Sequence, residues 1–309
     1  MKNWTIWCVA GVVATLAAGC GTRLPSEKIV ELGDRVKLEM ALIPAGSFLM
    51  GDDTGLDDER PVHKVTINKP FYLGKHEVTV EQFRRFVEAT GYVTDAEKGT
   101  GFQGAFGWNR GTKEFKMNAD YSWRNTGFSQ SDAHPVVNVS WNDAMEFCKW
   151  LSGKEGKTCR LPTEAEWEYA CRAGTTTRYS HGNDPEGSAK AGNVADAAFE
   201  AQFPELKGEV KASDGYAYTS PVGNFLPNPF GLYDMHGNVW EWCADWYDAE
   251  YYAKSPTNDP GGPATGEERT YRGGGWFNCA RGFRSASRSG GLPENRHLTL
   301  GFRVAVTAE

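Results

Sequence analysis

Long stretches of this chain lack both helical and strand periodicity, and this restricts the folds it can adopt. Its 309 residues include 36 glycines, 15 prolines and 11 tryptophans, many of them in these irregular stretches. Loops of such length normally argue against a compact domain. With 40% hydrophobic residues the chain still has ample material for a core. We therefore predict one large domain with few regular elements, held together by aromatic packing or bound ions.

Regular elements can be placed at only a few points. Alternating apolar residues predict strands in Val36-Lys-Leu-Glu-Met-Ala-Leu-Ile-Pro and in His63-Lys-Val-Thr-Ile. Capping patterns predict three helices. They are a helix from Thr79-Val-Glu-Gln82 to Gly91, a helix after Asn142, and a helix capped by Thr163 with Glu166 reaching back. The mixture predicts an α+β fold with few helices and short strands.

The first residues have the features of an export signal. Residues 1–20 combine an early positive charge, a short apolar stretch and small residues before a cysteine, and the stretch is too short to span a membrane. The ending Leu16-Ala-Ala-Gly-Cys20 resembles a bacterial lipobox, which implies cleavage before Cys20 and lipidation of its thiol. An ordinary signal peptide or an anchor helix is the alternative. We expect a signal at 1–20, a tether at 21–34 and a folded domain at 35–309, lipid-anchored in the cell envelope.

Net charge and cysteine count limit the possible ligands. The formal charge of -7 and the lack of a dense basic run argue against nucleic acid as a partner. An odd number of cysteines follows Cys20, so at least one thiol should be free in an oxidising compartment. None has the spacing of a zinc site. These cysteines are Cys148, Cys159, Cys171, Cys243 and Cys279.

Several ordered motifs together resemble the sulfatase-modifying-factor family, which includes the formylglycine-generating enzymes. The resemblance runs from about residue 37 to the C-terminus and implies a variant of the C-type lectin fold. The motifs are Ile43-Pro-Ala-Gly-Ser-Phe-Leu-Met-Gly-Asp, Pro61-Val-His-Lys-Val, Gly74-Lys-His-Glu-Val-Thr, His134-Pro-Val-Val-Asn-Val-Ser-Trp-Asn-Asp, Arg160-Leu-Pro-Thr-Glu-Ala-Glu-Trp-Glu-Tyr, Gly231-Leu-Tyr-Asp-Met-His-Gly-Asn-Val-Trp-Glu-Trp, Arg272-Gly-Gly-Gly-Trp and Gly301-Phe-Arg-Val.

The resemblance implies two structural calcium sites. A hard cation needs several converging oxygens, and Asp234, Asn238 and Glu241 lie within one short turn-rich segment. The family pattern places one ion on Asp234, Gly237, Val239 and Glu241, with the glycine and valine contributing carbonyl oxygens. It places a second ion on Asn193, Val194, Asp214 and Tyr216. A capped turn or a solvated loop is the alternative interpretation of these acids.

The resemblance does not extend to the copper site of the oxidases. Those enzymes oxidise a substrate cysteine to formylglycine with two thiols that bind copper. The position of the first thiol is Asn278 here, and that of the second is Phe283. Cys279 is the only thiol nearby and is a weak catalytic candidate, because a free thiol without an acid-base neighbour is usually inert. Copper is therefore not expected.

The family's disulfides are also incomplete in this sequence. Cys148 and Cys171 match family half-cystines, but their expected mates fall on Val304 and Ser285. Both thiols are therefore predicted to be free or differently paired.

The segment from Gly275 to Leu300 faces the substrate groove in the family. Its donors and aromatic surface suggest recognition of an extended or anionic ligand, with a protein or peptide as the expected partner. The candidate groove residues are Trp276, Asn278, Arg281, Arg284, Arg288, Arg296 and His297.

Three functions remain open. The first is a binding or accessory lipoprotein without catalysis, which the missing thiol pair favours. The second is a formylglycine-generating oxidase acting on sulfatase peptides. The third is an iron-dependent oxygenase, but the His-x-x-x-His-x-Glu segment of that branch is missing. The six histidines, which we expect to be structural, are His63, His76, His134, His181, His236 and His297.

Overall fold

The computed structural model describes residues 24–109 and 111–308, and within them the regular elements are short. Cys20 and the predicted signal segment lie outside the described residues. No helix in the described part is long and apolar enough to cross a membrane. The α+β class predicted from the sequence is confirmed by the mixture of short strands and helices.

A five-stranded antiparallel sheet brings the two ends of the domain together. In spatial order its strands are β1 (Glu27–Gly33), β2 (Val36–Ile43), β5 (Phe71–Gly74), β13 (Ala305–Thr307) and β8 (Cys159–Arg160). The folded part begins earlier than residue 35, because Val30 of β1 is fully buried and pairs with Leu38. The tether predicted for residues 21–34 is corrected accordingly: residues 27–33 are a strand with one apolar face.

The helices begin at side-chain caps. Two predicted helices are confirmed at α1 (Val80–Thr90) and α4 (Glu164–Arg172), with capping boxes at the predicted threonines. α3 (Trp141–Glu155) begins earlier than expected, because Ser140 rather than Asn142 is its cap. Two short helices were not predicted, α2 (Asp95–Lys98) and α5 (Ala197–Gln202). Helices α1 and α3 bury their apolar faces in the main core with β1 and β2.

A second sheet and two hairpins complete the regular structure. The sheet order is β11 (Arg288–Gly291), β10 (Arg269–Arg272), β9 (Trp240–Trp246) and β12 (Leu300–Gly301), with β12 parallel to β9. The hairpins are β3 (Gly46–Met50) with β4 (His63–Ile67), and β6 (Ala105–Asn109) with β7 (Glu114–Asn118). Short 3-10 helices occur at Asp57–Glu59, Pro185–Lys190 and Tyr251–Lys254.

Aromatic packing orders the irregular stretch that follows α4. The Trp276 side chain is fully buried, and its ring centroid lies 5.8 Å from that of Phe203 and 5.2 Å from that of Tyr218. Phe199 and Trp108 belong to the same cluster. Aromatic packing, one of the two means of holding the domain together that the sequence predicted, is therefore observed, and it places this segment beside β9, where the candidate site forms.

Candidate functional site

An aromatic pocket of about 400 Å³ opens between the β6–β7 hairpin and the second sheet. Its wall is mostly apolar, with a few polar groups, which is the usual composition of a ligand site. We call this set of residues the aromatic pocket. It is lined by Phe106, Phe115, Trp240, Tyr271, Phe277, Asn278, Ser289, His297, Leu298 and Thr299.

Backbone pairing holds the hairpin against the sheet. The amide of Phe106 donates to the carbonyl of Arg296 at 3.1 Å, and the amide of Leu298 donates to the carbonyl of Phe106 at 3.1 Å. On the other wall, the rings of Trp240 and Tyr271 meet edge to face, with centroids 5.2 Å apart. The Phe106 side chain is 42% exposed at the pocket rim. Rigid elements therefore form the walls, and one aromatic side chain stands at the entrance.

Two of the predicted groove residues, Asn278 and His297, line this pocket. The Oδ1 atom of Asn278 accepts hydrogen bonds from the Gly275 amide at 2.8 Å and from the Trp240 indole at 2.9 Å. The Nδ1 atom of His297 bonds to the Thr299 hydroxyl at 2.8 Å. Burial lowers the pKa of His297 to about 4. The imidazole is therefore neutral at pH 7, and the pocket wall carries polar groups without a net charge.

Two predicted groove arginines lie inside the protein instead. Arg284 is 5% exposed and makes a two-pronged ion pair with Glu59, at 2.6 and 2.5 Å, and a further contact with Asp52. Arg288 is 3% exposed and pairs in the same way with Glu164, at 2.6 and 2.7 Å. Their guanidinium groups are occupied by acids from distant parts of the chain, so neither offers a free donor to a ligand.

The remaining predicted groove residues do not line the aromatic pocket either. Arg296 is 1% exposed and donates to the carbonyls of Gly104 and Thr100, which ties the final segment to the loop before β6. Trp276 is buried in the aromatic cluster described above. Arg281 is exposed, and it lines a separate depression together with Arg284. Of the seven predicted residues, the structure brings Asn278 and His297 together at one ligand-accessible wall.

The two thiol positions of the family hold side chains that do not suit copper. Asn278 presents an amide whose oxygen is already bonded twice. Phe283 is fully buried, and its ring packs on Tyr179 with centroids 5.5 Å apart. Cys279 is half-buried and is not part of the pocket wall. Because Cu(I) selects soft thiolates, these residues do not fit a two-thiolate copper site.

The first predicted calcium segment contains buried oxygens without partners. Asp234 is 1% exposed; its Oδ2 atom accepts from the Gly223 amide at 2.8 Å, and its Oδ1 atom has no partner. Burial raises the pKa of Asp234 to about 6. Glu77 is also 1% exposed, with both carboxylate oxygens unpartnered, and burial followed by the nearby Asp234 charge raises its pKa. Unpaired buried carboxylates are costly, so this arrangement suits a bound cation.

Glu241, from the same segment, already holds an ion pair. Its two carboxylate oxygens accept from Arg303 at 2.5 and 2.6 Å, and one of them also accepts from the Trp167 indole at 2.7 Å. Gly237 has φ +114°, and an added Cβ there would lie 2.2 Å from the carbonyl oxygen of Asn193. This close approach needs glycine, and it brings the segment containing Gly237 and Val239 against the second predicted site.

The second predicted calcium segment is built around Asp214. Its two oxygens accept from the amides of Val194 and Tyr216, each at 2.8 Å. Asn193 donates to the Tyr218 carbonyl at 2.6 Å, while its buried Oδ1 atom has no partner. Burial raises the pKa of Asp214 to about 7. The four predicted residues are therefore brought together, with one free buried oxygen directed inward.

Sequence reasoning missed Glu77 and the hairpin residues Phe106 and Phe115. Glu77 stands in the family motif that begins at Gly74, so an acid within a recognised motif was an available signal. The hairpin had no such signal. Its strands have only five residues each, and the sequence does not show that Phe106 pairs with His297.

A cavity larger than the aromatic pocket lies elsewhere. It measures about 830 Å³ and opens between the β3–β4 hairpin and the loop after α4. Its walls include Leu49, Lys64, Tyr169 and Arg178, and none of the predicted site residues lines it. Size alone therefore does not identify the site, and the aromatic pocket is preferred because the final segment forms its wall.

Comparison with known proteins agrees with this α+β domain. Residues 26–308 match the sulfatase-modifying factor enzyme 1-like domain. The formylglycine-generating enzyme of Streptomyces coelicolor is 40% identical over 295 residues, covering 86% of this chain and 88% of that enzyme. The inactive C-alpha-formylglycine-generating enzyme 2 of Bos taurus is 35% identical over 315 residues, covering 91% of this chain and 92% of that protein.

A solved structure shows the same fold. PvdO from Pseudomonas aeruginosa superposes with a TM-score of 0.73 and 33% identity, covering 93% of this chain and 100% of that chain. The fold and the family match define a domain of the formylglycine-generating-enzyme type. The chain belongs to the sulfatase-modifying-factor family.

Proposed function

We propose that this protein is a calcium-stabilised binding or accessory member of its family, and that the aromatic pocket receives part of a protein or peptide ligand. Asn278 carries the proposal. It stands at the first thiol position of the oxidases and supports the Trp240 wall, so the pocket is kept while the copper ligand is replaced. The similarity to a protein named inactive gives further support.

The pocket lining indicates the chemistry of the ligand. Five aromatic residues with a neutral imidazole and an amide favour an aromatic or large apolar side chain over a charged group. A volume of about 400 Å³ suits one such side chain. Because none of the described arginines lines the aromatic pocket and Arg284 and Arg288 are paired with internal acids, an anionic ligand is disfavoured there, and an extended peptide with an apolar anchor is the proposed occupant.

Calcium has a structural role in this proposal. Asp234 and Glu77 would hold one ion, with the Gly237 and Val239 carbonyls and Glu241 beside them, and the group around Asp214 would hold the other. Within the described residues, no three Asp, Glu, His or Cys side chains form a ready metal cluster. Carbonyl oxygens and waters therefore complete each shell, as is common for this cation.

The export signal predicted from the sequence supports a proposed location. Lipidation of Cys20 would hold the domain at a membrane surface in the cell envelope, while β1 begins only a few residues after it. The pocket would then be offered to partners close to that surface.

A formylglycine-generating oxidase is the second candidate, favoured by the 40% identity to a named oxidase. An iron-dependent oxygenase is a third, but no observation on the described residues favours it. The test is mass spectrometry of a sulfatase-type cysteine peptide after incubation with the full chain, copper, reductant and oxygen. The Streptomyces coelicolor enzyme serves as the positive control. We expect no conversion by this protein, and formation of formylglycine would overturn the proposal.

A further inference from the structure

Two buried cysteines meet beneath the end of α3. Cys148 lies on that helix and Cys159 begins β8, and both belong to the main apolar core as free thiols. The Ser152 hydroxyl links them: it donates to the Cys148 carbonyl at 2.8 Å and accepts from the Cys159 amide at 2.9 Å. One side chain therefore hydrogen-bonds to both backbones, so the two cysteines are neighbours in the core, and the Cys159 thiol is close enough to act on the Cys148 thiol.

Strand register directs the Cys159 side chain toward the helix. Cys159 is paired with Val306 across an antiparallel ladder, and directly opposed residues point to the same face of a sheet. Val304 lies two residues before Val306, so it shares that face. All three pack in the core that contains Cys148. The Cys159 side chain thus lies on the same face of the sheet as Val304, which occupies the position of the expected mate of Cys148, and β8 is the strand next to β13.

We propose that Cys148 and Cys159 form an intramolecular disulfide under oxidising conditions, joining α3 to β8. The bond would take over the link between helix and sheet that a cysteine at position 304 would make. It would close the loop from residue 148 to residue 159 and stabilise the fold by restricting the unfolded chain. The inference is independent of the ligand and of calcium.

The reaction needs an oxidant of the disulfide class, such as glutathione disulfide. The Cys159 thiolate attacks one sulfur of the oxidant and releases one glutathione thiolate, leaving a mixed disulfide. The Cys148 thiolate then attacks the Cys159 sulfur and releases the second glutathione thiolate. Two protein thiols are oxidised, one disulfide is reduced, and the two protons end on glutathione.

The order of attack follows from the surroundings of the two thiols. Cys159 lies near Glu155 and Lys28 at the edge of the sheet, whereas Cys148 is fully enclosed. Burial raises the pKa of both thiols, with the Cys159 thiolate as the second cause for Cys148 and the Glu155 carboxylate as the second cause for Cys159, so their difference lies in enclosure. The outer cysteine therefore reacts first.

The other buried cysteines are engaged elsewhere. The Cys171 sulfur contacts the Met235 carbonyl and the His236 ring, each at 3.7 Å. Burial raises the pKa of the Cys171 thiol to about 12, although a hydrogen bond with the Ser285 hydroxyl partly offsets the rise. Ser285 occupies the position of the expected disulfide mate of Cys171. The Cys243 sulfur contacts the carbonyl of Glu241 on its own strand, at 3.9 Å.

Peptide mapping tests the proposal. The full chain is equilibrated with a glutathione redox buffer at a denaturant concentration that allows transient opening, returned to native buffer, then denatured, alkylated and digested with trypsin. Lys149, Lys154 and Lys157 separate the two cysteines, so a disulfide joins two distinct peptides. We expect this joined species, two hydrogens lighter than its parts, and a Tm about 5 °C above that of the reduced protein.

Two variants serve as controls. In Cys159→Ser the joined species and the oxidant-dependent rise in Tm should both disappear. In Cys279→Ser, which removes the half-buried thiol near the pocket, both should persist. Alkylation of Cys148 and Cys159 in the oxidised wild-type sample, or their linkage to other cysteines or to glutathione, would overturn the proposal.

Discussion

Asn278 fixes one wall of the aromatic pocket through a single side chain. Its oxygen holds the Gly275 amide and the Trp240 indole together, at 2.8 and 2.9 Å. A thiol accepts such bonds only weakly, so an amide at this position supports the indole in a way that cysteine cannot. The residue therefore orients the pocket instead of binding a soft metal.

Glu77 provides a residue-level test of the proposed cation. In calcium-loaded protein, Glu77→Gln should lower the Tm and weaken calcium binding about 10-fold, because a ligand oxygen loses its charge. In calcium-free protein the same change should raise the Tm, because it removes a buried and unpaired carboxyl beside Asp234. Scanning fluorimetry with and without calcium measures the change in Tm under each condition and therefore its sign.

Glu267→Gln is the matched control for that experiment, because Glu267 is an exposed glutamate far along the chain. It should leave both Tm values unchanged. An equal response of Glu77→Gln with and without calcium would argue against a cation at this position.

The ion pair of Arg284 should contribute strongly to stability. Arg284→Gln leaves the buried Glu59 carboxylate without its partner, and breaking such a pair costs about 3 kcal/mol. Arg281→Gln, three residues earlier and exposed, should change the free energy of unfolding by less than about 0.5 kcal/mol. Urea unfolding of the two variants gives the comparison, and equal effects would contradict the assigned pairing.

The same arginines show what could be predicted at this scale. The motifs placed Asn278 and Phe283 at the thiol positions, because that inference needs only local counting. They could not reveal that Arg284 and Arg288 are buried, because their partners Glu59 and Glu164 lie more than a hundred residues away in sequence.

Strand β9 begins at the predicted calcium segment and contains a buried acid, Asp245, near its other end. Asp245 is 3% exposed and accepts a hydrogen bond from the Glu164 amide at 2.8 Å, which joins β9 to the start of α4. Burial, and then the Glu164 carboxylate, raise the pKa of Asp245 to about 8. The element is therefore sensitive to pH at its end, away from the pocket.

Asp245→Asn should change the pH dependence of stability. The native pKa of Asp245 lies above its ordinary value of 3.8, so the native state holds this proton more tightly than the unfolded state. Wild-type stability should therefore fall as pH rises from about 4 to about 8, and then level off with respect to this group. Asparagine keeps the hydrogen-bond acceptor and cannot ionise. The free energy of unfolding of the variant should therefore rise relative to that of wild type as the pH increases across this window.

Urea midpoints at several pH values measure that difference. Asp120→Asn, which changes an exposed carboxylate, is the control and should run parallel to wild type. Parallel curves for Asp245→Asn as well would contradict the assigned titration.

Elements with a local signal were predictable, and those without one were not. The capping boxes at Thr79 and Thr163 predicted the starts of α1 and α4, because a capping box is defined by residue types within four consecutive positions. The β6–β7 hairpin was missed because its strands are five residues each and its place at the pocket depends on pairing with residues near 297. Long-range pairing of this kind is not readable from periodicity.

At the scale of the whole molecule, aromatic clusters and buried polar groups replace regular structure. The irregular region between α4 and β9 contributes Phe199, Phe203 and Tyr218 to the ring cluster around Trp276, and it contains the buried and unpartnered oxygens of Asn193 and Asp234. Sequence composition predicted this dependence in general terms, since it implied few elements. It could not predict which loops the rings would join, because ring packing is set by the tertiary fold.

Calcium removal should destabilise the whole domain. A ligand bound only to the native state adds to its stability, so a calcium chelator should lower the Tm by about 5 °C or more. Excess calcium should restore it, whereas magnesium should not, because it demands a smaller and more regular shell. An unchanged melting curve with chelator would count against both proposed sites.

Binding of peptides at the aromatic pocket is the most direct test of the central claim. The full chain is applied to a peptide array in which one central position is varied through all amino acids. We predict a preference for aromatic and large aliphatic residues that is lost in Phe106→Ala, at the pocket rim, and kept in Leu226→Ala, an exposed apolar residue outside the pocket. An array without such a preference, or a preference that Phe106→Ala leaves intact, would contradict a binding role for this pocket.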